Sequence, residues 1–187
     1  MPHPKKTAEN RLPGDPTRAQ LLEEMIRVDH AGEYGAVRIY AGQLAVLGRR
    51  HRLSPVIRRM EQQEQRHLKK FDALVLDHKV RPTALGPLWH AAGFALGAAT
   101  ALMGEKAAMA CTAAVEEVIE AHYSDQLEKL GDDDKSLRDT ITDFRAEEVE
   151  HKAKALEHGA AEAPGYTLLS SAIKTGCRAA IWLSAKI

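Results

Sequence analysis

Six residues that often bind metal ions occupy positions in helical repeats where apolar side chains are expected. They are four glutamates and two histidines: Glu33, Glu64, His67, Glu116, Glu148 and His151. Around each of them, apolar residues recur every three or four positions, a period that turns one helix face toward a core. Carboxylates buried together lose their hydration and repel one another, so they need neutralising cations. The pattern therefore predicts a buried metal centre inside a helical bundle.

The six residues fall into two similar sets. Glu33 and Glu64 are separated by almost the same number of residues as Glu116 and Glu148, and Glu64 and Glu148 each begin a Glu-x-x-His motif. Two hairpins that each supply one lone Glu and one Glu-x-x-His form the ligand set of ferritin-like di-iron and di-manganese bundles. The sequence predicts two divalent metals bridged by Glu64 and Glu148. Zinc is disfavoured, because no thiolate cluster is present.

Helical phase selects the ligands from runs of adjacent acids. Glu116 lies on the face of Ile119, whereas Glu117 points to the far side, and Glu148 is the acid three residues before His151. The neighbouring acids are expected to be solvated: Glu117, Glu147 and Glu150. A Glu-x-x-His motif is weak by itself. Solvated helix faces with fortuitous registers therefore remain the alternative interpretation of the spacing alone.

Length and charge limit the classes of protein to consider. A chain of 187 residues suits one domain with a substantial core, and Lys+Arg and Asp+Glu both total 26, so no basic field favours nucleic acid. Cys111 and Cys177 lack metal-site spacing and are expected to pack in the core of a protein in a reducing compartment. Residues 1–16 are rich in proline and predict a flexible tail without a secretory or transit signal, and residues 17–187 predict one domain.

Two apolar stretches raise the question of a membrane. Residues 82–104 contain no Asp, Glu, Lys or Arg, which is long enough for a membrane span. A span there would place the two halves of the predicted metal centre on opposite sides of a bilayer. We therefore expect a helix that lies at the membrane interface or caps the bundle. The second stretch, residues 166–187, is expected either to lie beside it or to form a fifth helix buried on the bundle.

Several segments closely resemble the demethoxyubiquinone hydroxylase family, from about Leu21 to the C-terminus. They are RVDHAGEYGAVRIYAGQLAVLGR at 27–49, QEQRHLKKF at 63–71, VRPTALGPLWH at 80–90, AMACTAAVEEVIEAHY at 108–123, FRAEEVEH at 144–151 and GCRAAIWLS at 176–184. The resemblance implies a di-iron monooxygenase that hydroxylates the ring of a demethoxylated ubiquinone precursor. The expected fold is all-α, a ferritin-like four-helix bundle with additional apolar, membrane-associating helices. The family's iron ligands fall on the same six residues selected above.

The resemblance also implies a set of partners and substrates. Two iron ions would act with O2 as co-substrate, and the electrons would come from NADH or another donor. The quinone substrate would be dissolved in a membrane to which the protein attaches peripherally. We expect the cytoplasmic side of a bacterial cell membrane, or the matrix side of the mitochondrial inner membrane for a mature eukaryotic chain. Whether the chain forms a homo-oligomer or works with a lipid-binding helper protein is left open.

Three further residues are assigned by likeness and position. His122 and Tyr123 resemble the family's residues proposed to contact the quinone or to carry electrons toward iron, and His122 could equally be a core histidine. Tyr123 lies two helical turns from Glu116 on the same face. His30, one turn before Glu33, is expected to support the site and not to bind metal.

Two rival functions remain open from the sequence. The chain could be a binding protein that stores iron or carries a quinone without chemistry. It could also be a di-manganese or peroxide-decomposing enzyme with the same six ligands, because metal choice depends on geometry and supply. The family segments and the apolar stretches favour the hydroxylase.

Overall fold

A computed structural model describes residues 14–131 and 134–187 of the chain. Most of the predicted flexible tail, residues 1–13, therefore lies outside the described residues. Every regular element in the described part is helical, which confirms the all-α prediction there. The helices are α1 (Arg18–Leu47), α2 (Ser54–Asp77), α3 (Gly86–Leu102), α4 (Glu105–Leu130), α5 (Lys135–Glu157) and α6 (Tyr166–Lys186), with a short 3-10 helix at Ala160–Glu162.

Four long helices form two hairpins, and their arrangement is consistent with a ferritin-like bundle. Helix α1 packs along α2, α4 packs along α5, and α1 also touches α4. A capping box begins α1, in which the Thr17 side chain accepts from the Gln20 backbone and the Gln20 side chain accepts from the Thr17 backbone. The two hairpins thus bring the four predicted metal-binding segments around one axis.

Two apolar layers enclose the middle of this bundle. At one end, Phe71 and Phe144 contact each other edge to face, and Ile26, Leu130 and Ile141 are buried around them. At the other end, residues of all four helices form a second buried cluster, which includes Tyr40, Ile57, Met60, Met109 and Ala155. Polar residues of the central layer are therefore shielded from water on both sides. Charges in such a shielded layer interact strongly.

Helix α3 packs against α1 with very close backbone contact. A Cβ atom on Gly97 would lie 1.9 Å from the Ile39 carbonyl oxygen, and one on Gly42 would lie 2.2 Å from the Phe94 carbonyl oxygen. Only glycine fits at these two positions, so the small residues of this apolar stretch are explained by helix packing. Since Gly93 lies against Gly35 and Gly97 against Ile39, the two helices run in the same direction.

Helix α6 packs on α4 and α1, beside the face that α3 covers. Its C-terminus is joined to the start of α3: the Ala84 backbone N–H donates to the Ile187 carbonyl at 3.0 Å, and the Trp89 indole donates to Ser184 Oγ at 3.0 Å. Only Ser170, Ile173 and Ser184 of α6 are buried. Helix α6 therefore forms a fifth helix that packs on the bundle but is only partly buried there.

Neither apolar stretch forms a membrane-spanning helix. Within residues 14–131 and 134–187, no helix combines the length and the apolar character required to cross a bilayer.

Candidate metal centre

The six predicted metal ligands meet at the centre of the bundle. Each helix of the two hairpins contributes to them: α1 carries Glu33, α4 carries Glu116, and α2 and α5 each carry a Glu-x-x-His. None of the six is more than 1% exposed: Glu33, Glu64, His67, Glu116, Glu148 and His151. The periodicity of each helix therefore turns all of these polar side chains toward the same interior point.

The six residues form two overlapping groups that share two carboxylates. Glu33, Glu64, His67 and Glu148 form one group, and Glu64, Glu116, Glu148 and His151 form the other, with the donor atoms of each group within 4.8 Å of one another. We call the first group the His67 subsite and the second the His151 subsite. Such sharing is the geometry required of ligands that bridge two metal ions.

Each shared carboxylate directs one oxygen to each subsite. Glu148 Oε1 lies 3.2 Å from His67 Nδ1, and Glu148 Oε2 lies 3.3 Å from His151 Nδ1. Glu64 does the same, with Oε2 at 3.8 Å from His67 Nδ1 and Oε1 at 3.0 Å from His151 Nδ1. The arrangement supports Glu64 and Glu148 as the bridging pair.

Many donor atoms in this cluster are buried without a hydrogen-bond partner. They are Glu33 Oε2, both oxygens of Glu64, His67 Nδ1, Glu116 Oε2, both oxygens of Glu148 and His151 Nδ1. Native proteins rarely leave buried polar atoms unpaired, because each costs free energy. Carboxylate oxygens and imidazole nitrogens that converge in this way fit divalent metals such as iron or manganese. The donor set therefore fits two metal ions.

The acid–base properties of the cluster follow from burial and mutual repulsion. Burial, with the charges of Glu64 and Glu148, raises the pKa of Glu33 well above its usual range, and the same causes act on Glu116. Burial opposes a charge on His151, but contact with Glu148 and Glu64 outweighs it and raises its pKa to about 11. Contacts with Glu148 and Glu33 raise the pKa of His67 in the same way, against the effect of burial.

These shifts link metal binding to proton release. A metal ion on Nδ1 of either histidine would take the place of a proton, because contacts with the neighbouring carboxylates favour the protonated imidazole. Metal affinity should therefore rise with pH, since fewer protons compete for the same nitrogen.

Two tyrosines hold the lone glutamates, one from each hairpin. The Tyr123 hydroxyl on α4 donates to Glu33 Oε1 on α1, and the Tyr40 hydroxyl on α1 donates to Glu116 Oε1 on α4. Tyr40 follows Glu33 at the same spacing at which Tyr123 follows Glu116. Sequence reasoning singled out Tyr123 but not Tyr40. The repeated Glu-x6-Tyr spacing was the signal that could have identified Tyr40.

The outward nitrogens of the two ligand histidines also have partners. His67 Nε2 lies 3.1 Å from Glu147 Oε2, and His151 Nε2 lies 3.2 Å from Gln63 Oε1. Gln63 Nε2 donates to Glu147 at 3.0 Å, and Arg66 pairs with the same carboxylate. The prediction that Glu147 is solvated is therefore wrong: its side chain is 27% exposed and joins α5 to α2. Glu117 is 43% exposed and pairs with Lys174 of α6.

His122 belongs to a polar cluster beside the centre and not to the ligand group. Its Nε2 lies 3.0 Å from Asp29 Oδ1, which also accepts from Gln126 at 2.7 Å. Asp29 is buried one turn before Glu33, and burial raises its pKa although His122 opposes this. Sequence reasoning did not single out Asp29 or Gln126. His30 pairs with Asp72 at 3.0 Å and lies outside both metal subsites.

An apolar groove of about 520 Å³ lies between α3 and α6, with α1 and α4 as its floor. Gly32 and Val115, the neighbours of Glu33 and Glu116 along the chain, line it together with Ile119, Ile173 and Cys177. The groove thus approaches the cluster from the side of the two lone glutamates. Sequence periodicity did not reveal it, because its walls come from helices outside the four-helix bundle.

Comparison with known proteins adds to this geometry. A family model described as ubiquinone biosynthesis protein COQ7 matches residues 20–184 of the chain. The matched region contains all six predicted ligands and the walls of the groove.

Individual relatives match over most of their length. A 3-demethoxyubiquinol 3-hydroxylase of Rhodospirillum rubrum is 59% identical over 183 residues, which is 98% of this chain and 86% of the relative. An NADPH-dependent 3-demethoxyubiquinone 3-hydroxylase of Rattus norvegicus, a mitochondrial protein, is 56% identical and covers 87% of this chain and 76% of its own. A mitochondrial 5-demethoxyubiquinone hydroxylase of Saccharomyces cerevisiae is 45% identical over 91% of this chain and 80% of its own.

Proposed function

The chain belongs to the family of the ubiquinone biosynthesis protein COQ7, and we propose that it hydroxylates the ring of a demethoxyubiquinol-type substrate with O2. The observation that carries this proposal is the pair of buried subsites that share Glu64 and Glu148, beside an apolar groove whose floor includes the chain neighbours of Glu33 and Glu116. One oxygen atom enters the ring and the other leaves as water, which requires two electrons and two protons. These electrons would come from NADH or another donor.

Two iron ions are proposed as the resident cofactor, with the six buried residues as their ligands. When bound, the ions supply the reduction of O2 that the chain's own side chains cannot perform. Glu33 and His67 would hold one ion, Glu116 and His151 the other, and Glu64 and Glu148 both. The eight donor atoms without hydrogen-bond partners support this assignment. Their surroundings are apolar on both sides, which excludes water from the reaction.

The groove is proposed to hold the substrate. Its lining is almost entirely apolar, as a ring with a hydrocarbon tail requires, and its volume of about 520 Å³ lies in the range of small-molecule sites. The ring would lie over the groove floor next to Glu33 and Glu116, because Gly32, Ala36 and Val115 of that floor adjoin them. The tail would extend between α3 and α6 toward the protein surface.

Tyr123 and His122 are proposed to assist from the side of the lone glutamates. The Tyr123 hydroxyl donates to Glu33 Oε1 and so fixes the orientation of that carboxylate. His122, whose side chain is 22% exposed, pairs with the buried Asp29, one turn from Glu33. This chain of groups could carry a proton from the surface to the edge of the centre. Tyr40 has no such continuation, since Gln43, the counterpart of Gln126, binds Thr112 and the Ala108 carbonyl.

Peripheral attachment to a membrane is proposed through α3 and α6. Large apolar side chains are exposed on these helices and on the turn after α3: Leu88, Leu102, Met103, Leu168, Trp182 and Ile187. Arg178 and Lys186 of α6 would face the lipid headgroups. The cytoplasmic side of a cell membrane is the proposed location, or the matrix side of the mitochondrial inner membrane for a eukaryotic chain. Residues 17–187 would act as one domain.

Attachment can be tested by flotation with liposomes that contain anionic lipid. We expect the protein to float, and replacement of Leu168 and Trp182 by Glu to leave it at the bottom of the gradient, because charged side chains resist burial in lipid. Val149→Glu, a change at an exposed apolar residue on α5, is the control and should float normally. Wild-type protein that does not float would contradict the proposal.

The hydroxylation itself can be tested with labelled oxygen. Protein loaded anaerobically with Fe(II) is mixed with a demethoxyubiquinol analogue and a reductant, and then exposed to ¹⁸O2. We expect mass spectrometry to detect one labelled oxygen in the ring product. Glu148→Ala should abolish incorporation, since it removes a carboxylate shared by both subsites.

The control for this change is Glu150→Ala, two residues along α5, where the side chain is exposed. Full activity of the Glu148→Ala protein would refute the ligand assignment. If wild-type protein binds two irons and consumes no O2 with any of several donors, it is a binding protein and not a hydroxylase.

The groove can be tested at Gly176 of α6. A Cβ atom at this position would meet nothing within 4 Å, so Gly176→Leu should fold normally and place its side chain in the groove. We expect normal iron content with at least about tenfold lower kcat/KM, which corresponds to about 1.4 kcal/mol. Ala179→Leu, at an exposed α6 position outside the groove lining, should have near-normal kcat/KM. Equal kcat/KM for both variants would exclude the groove as the substrate site.

Tyr123 and Tyr40 allow a matched comparison, because each donates one hydrogen bond to one lone glutamate. Tyr123→Phe and Tyr40→Phe should each lower the free energy of unfolding by about 1–3 kcal/mol, because each leaves a buried oxygen unpaired. If Tyr123 also transfers protons, kcat should fall further in Tyr123→Phe than in Tyr40→Phe, with similar iron affinity in both. Equal kcat values would limit Tyr123 to orienting Glu33.

A further inference from the structure

The two metal subsites are related by an internal two-fold repeat of the chain, and one position makes the support of their two histidines unequal. Glu33, Tyr40 and Gln43 of the first half correspond to Glu116, Tyr123 and Gln126 of the second, at one constant offset. The two Glu-x-x-His motifs also correspond, at an offset one residue longer. Each subsite receives one lone glutamate, one histidine and the same two shared carboxylates. The ligands alone would therefore give two metal ions nearly equal environments.

The difference lies in the residue that precedes each shared glutamate. Gln63 precedes Glu64, and Glu147 precedes Glu148. Each of these residues crosses to the opposite hairpin and contacts the outward nitrogen of the other motif's histidine: Glu147 contacts His67 at 3.1 Å and Gln63 contacts His151 at 3.2 Å. His67 is thus supported by a carboxylate, and His151 by a neutral amide.

The contact between these two residues fixes the orientation of the amide. A carboxylate only accepts hydrogen bonds, so Gln63 must direct its NH2 group to Glu147, at 3.0 Å. Gln63 Oε1 then faces His151 and can only accept. His151 must donate from Nε2, which leaves Nδ1 free for metal, and Glu147 imposes the same on His67. Both histidines therefore have the tautomer that directs Nδ1 into the subsites.

A carboxylate partner makes an imidazole a stronger metal ligand than an amide partner does. Such outer contacts change metal affinity by about 10- to 100-fold. Arg66 also pairs with Glu147, but its side chain is 56% exposed and its charge is screened by water. In the other half of the repeat, the position equivalent to Arg66 is occupied by the exposed Glu150.

From this asymmetry, and on the basis of the proposed metal centre, we infer that the His67 subsite binds its metal ion before the His151 subsite, and that Glu147 and Gln63 are the positioning residues that set this order. The first ion to bind is coordinated by Glu33, Glu64, His67 and Glu148. The second ion enters the weaker subsite, which includes Glu116.

The order can be read directly from crystals of the protein that hold one equivalent of Mn(II). Anomalous scattering at the manganese edge gives the occupancy of each subsite without any need for turnover. We expect several-fold higher occupancy at the His67 subsite in the wild-type protein. Equal occupancy, or higher occupancy at the His151 subsite, would overturn the inference while leaving the metal centre intact. If neither subsite held any metal after loading with excess Mn(II) or excess Fe(II), the metal centre itself would be refuted.

Two variants separate the proposed cause from general electrostatics. Glu147→Gln should reduce the affinity of the first binding step in calorimetry by about tenfold or more and equalise the two occupancies. The double exchange Gln63→Glu with Glu147→Gln preserves the contact between these two side chains and should reverse the order of filling. Glu150→Gln removes one negative charge from an exposed position on the same helix and should leave the wild-type order. An unchanged order in both the single and the double variant would overturn the inference.

Discussion

Four carboxylates in one apolar interior are the constraint on which the rest of this structure depends. Two like charges about 4 Å apart repel by about 4 kcal/mol at the effective dielectric of a protein, and each buried ion also loses several kcal/mol of hydration. None of the four glutamates is more than 1% exposed: Glu33, Glu64, Glu116 and Glu148. The fold is stable only if some of these carboxyl groups are protonated or positive charge is present among them. Histidines that retain protons supply part of this charge, and metal ions can supply all of it.

The same constraint explains why the donors have so many fixed partners. Each lone glutamate has one oxygen held by a tyrosine from the facing helix, and each histidine has its outward nitrogen held by a side chain from the facing hairpin. A carboxylate that could rotate freely would relieve repulsion by turning away from its neighbours. These cross-helix contacts prevent that rotation and keep the free oxygens directed at the common centre.

The sequence predicted the part of the site that depends on one helix at a time. The positions of Glu64 and His67 on one face, or of Glu148 and His151, follow from the helical repeat alone, and so does the choice of Glu116 over Glu117. The partners that were missed, Gln63 with Glu147 and Asp29 with Gln126, depend on the rotation and axial offset of one helix against another. A periodic pattern does not specify those quantities. Likewise, the apolar character of α3 was evident, but its close approach to α1 through Gly42 and Gly97 was not.

The placement of α3 and α6 makes the two sides of the bundle different. Both helices pack on α1, and α6 packs extensively on α4, so the groove between them lies over α1 and α4, the helices that carry the lone glutamates. Helices α2 and α5 carry the shared carboxylates, the histidines and the polar contacts among Gln63, Arg66 and Glu147. The apolar groove therefore lies on one side of the bundle, while the charged contacts that support the predicted ligands lie on the other. Because a groove on the α2 and α5 side would displace those contacts, the position of the two additional helices makes the two sides of an otherwise two-fold repeated bundle unequal.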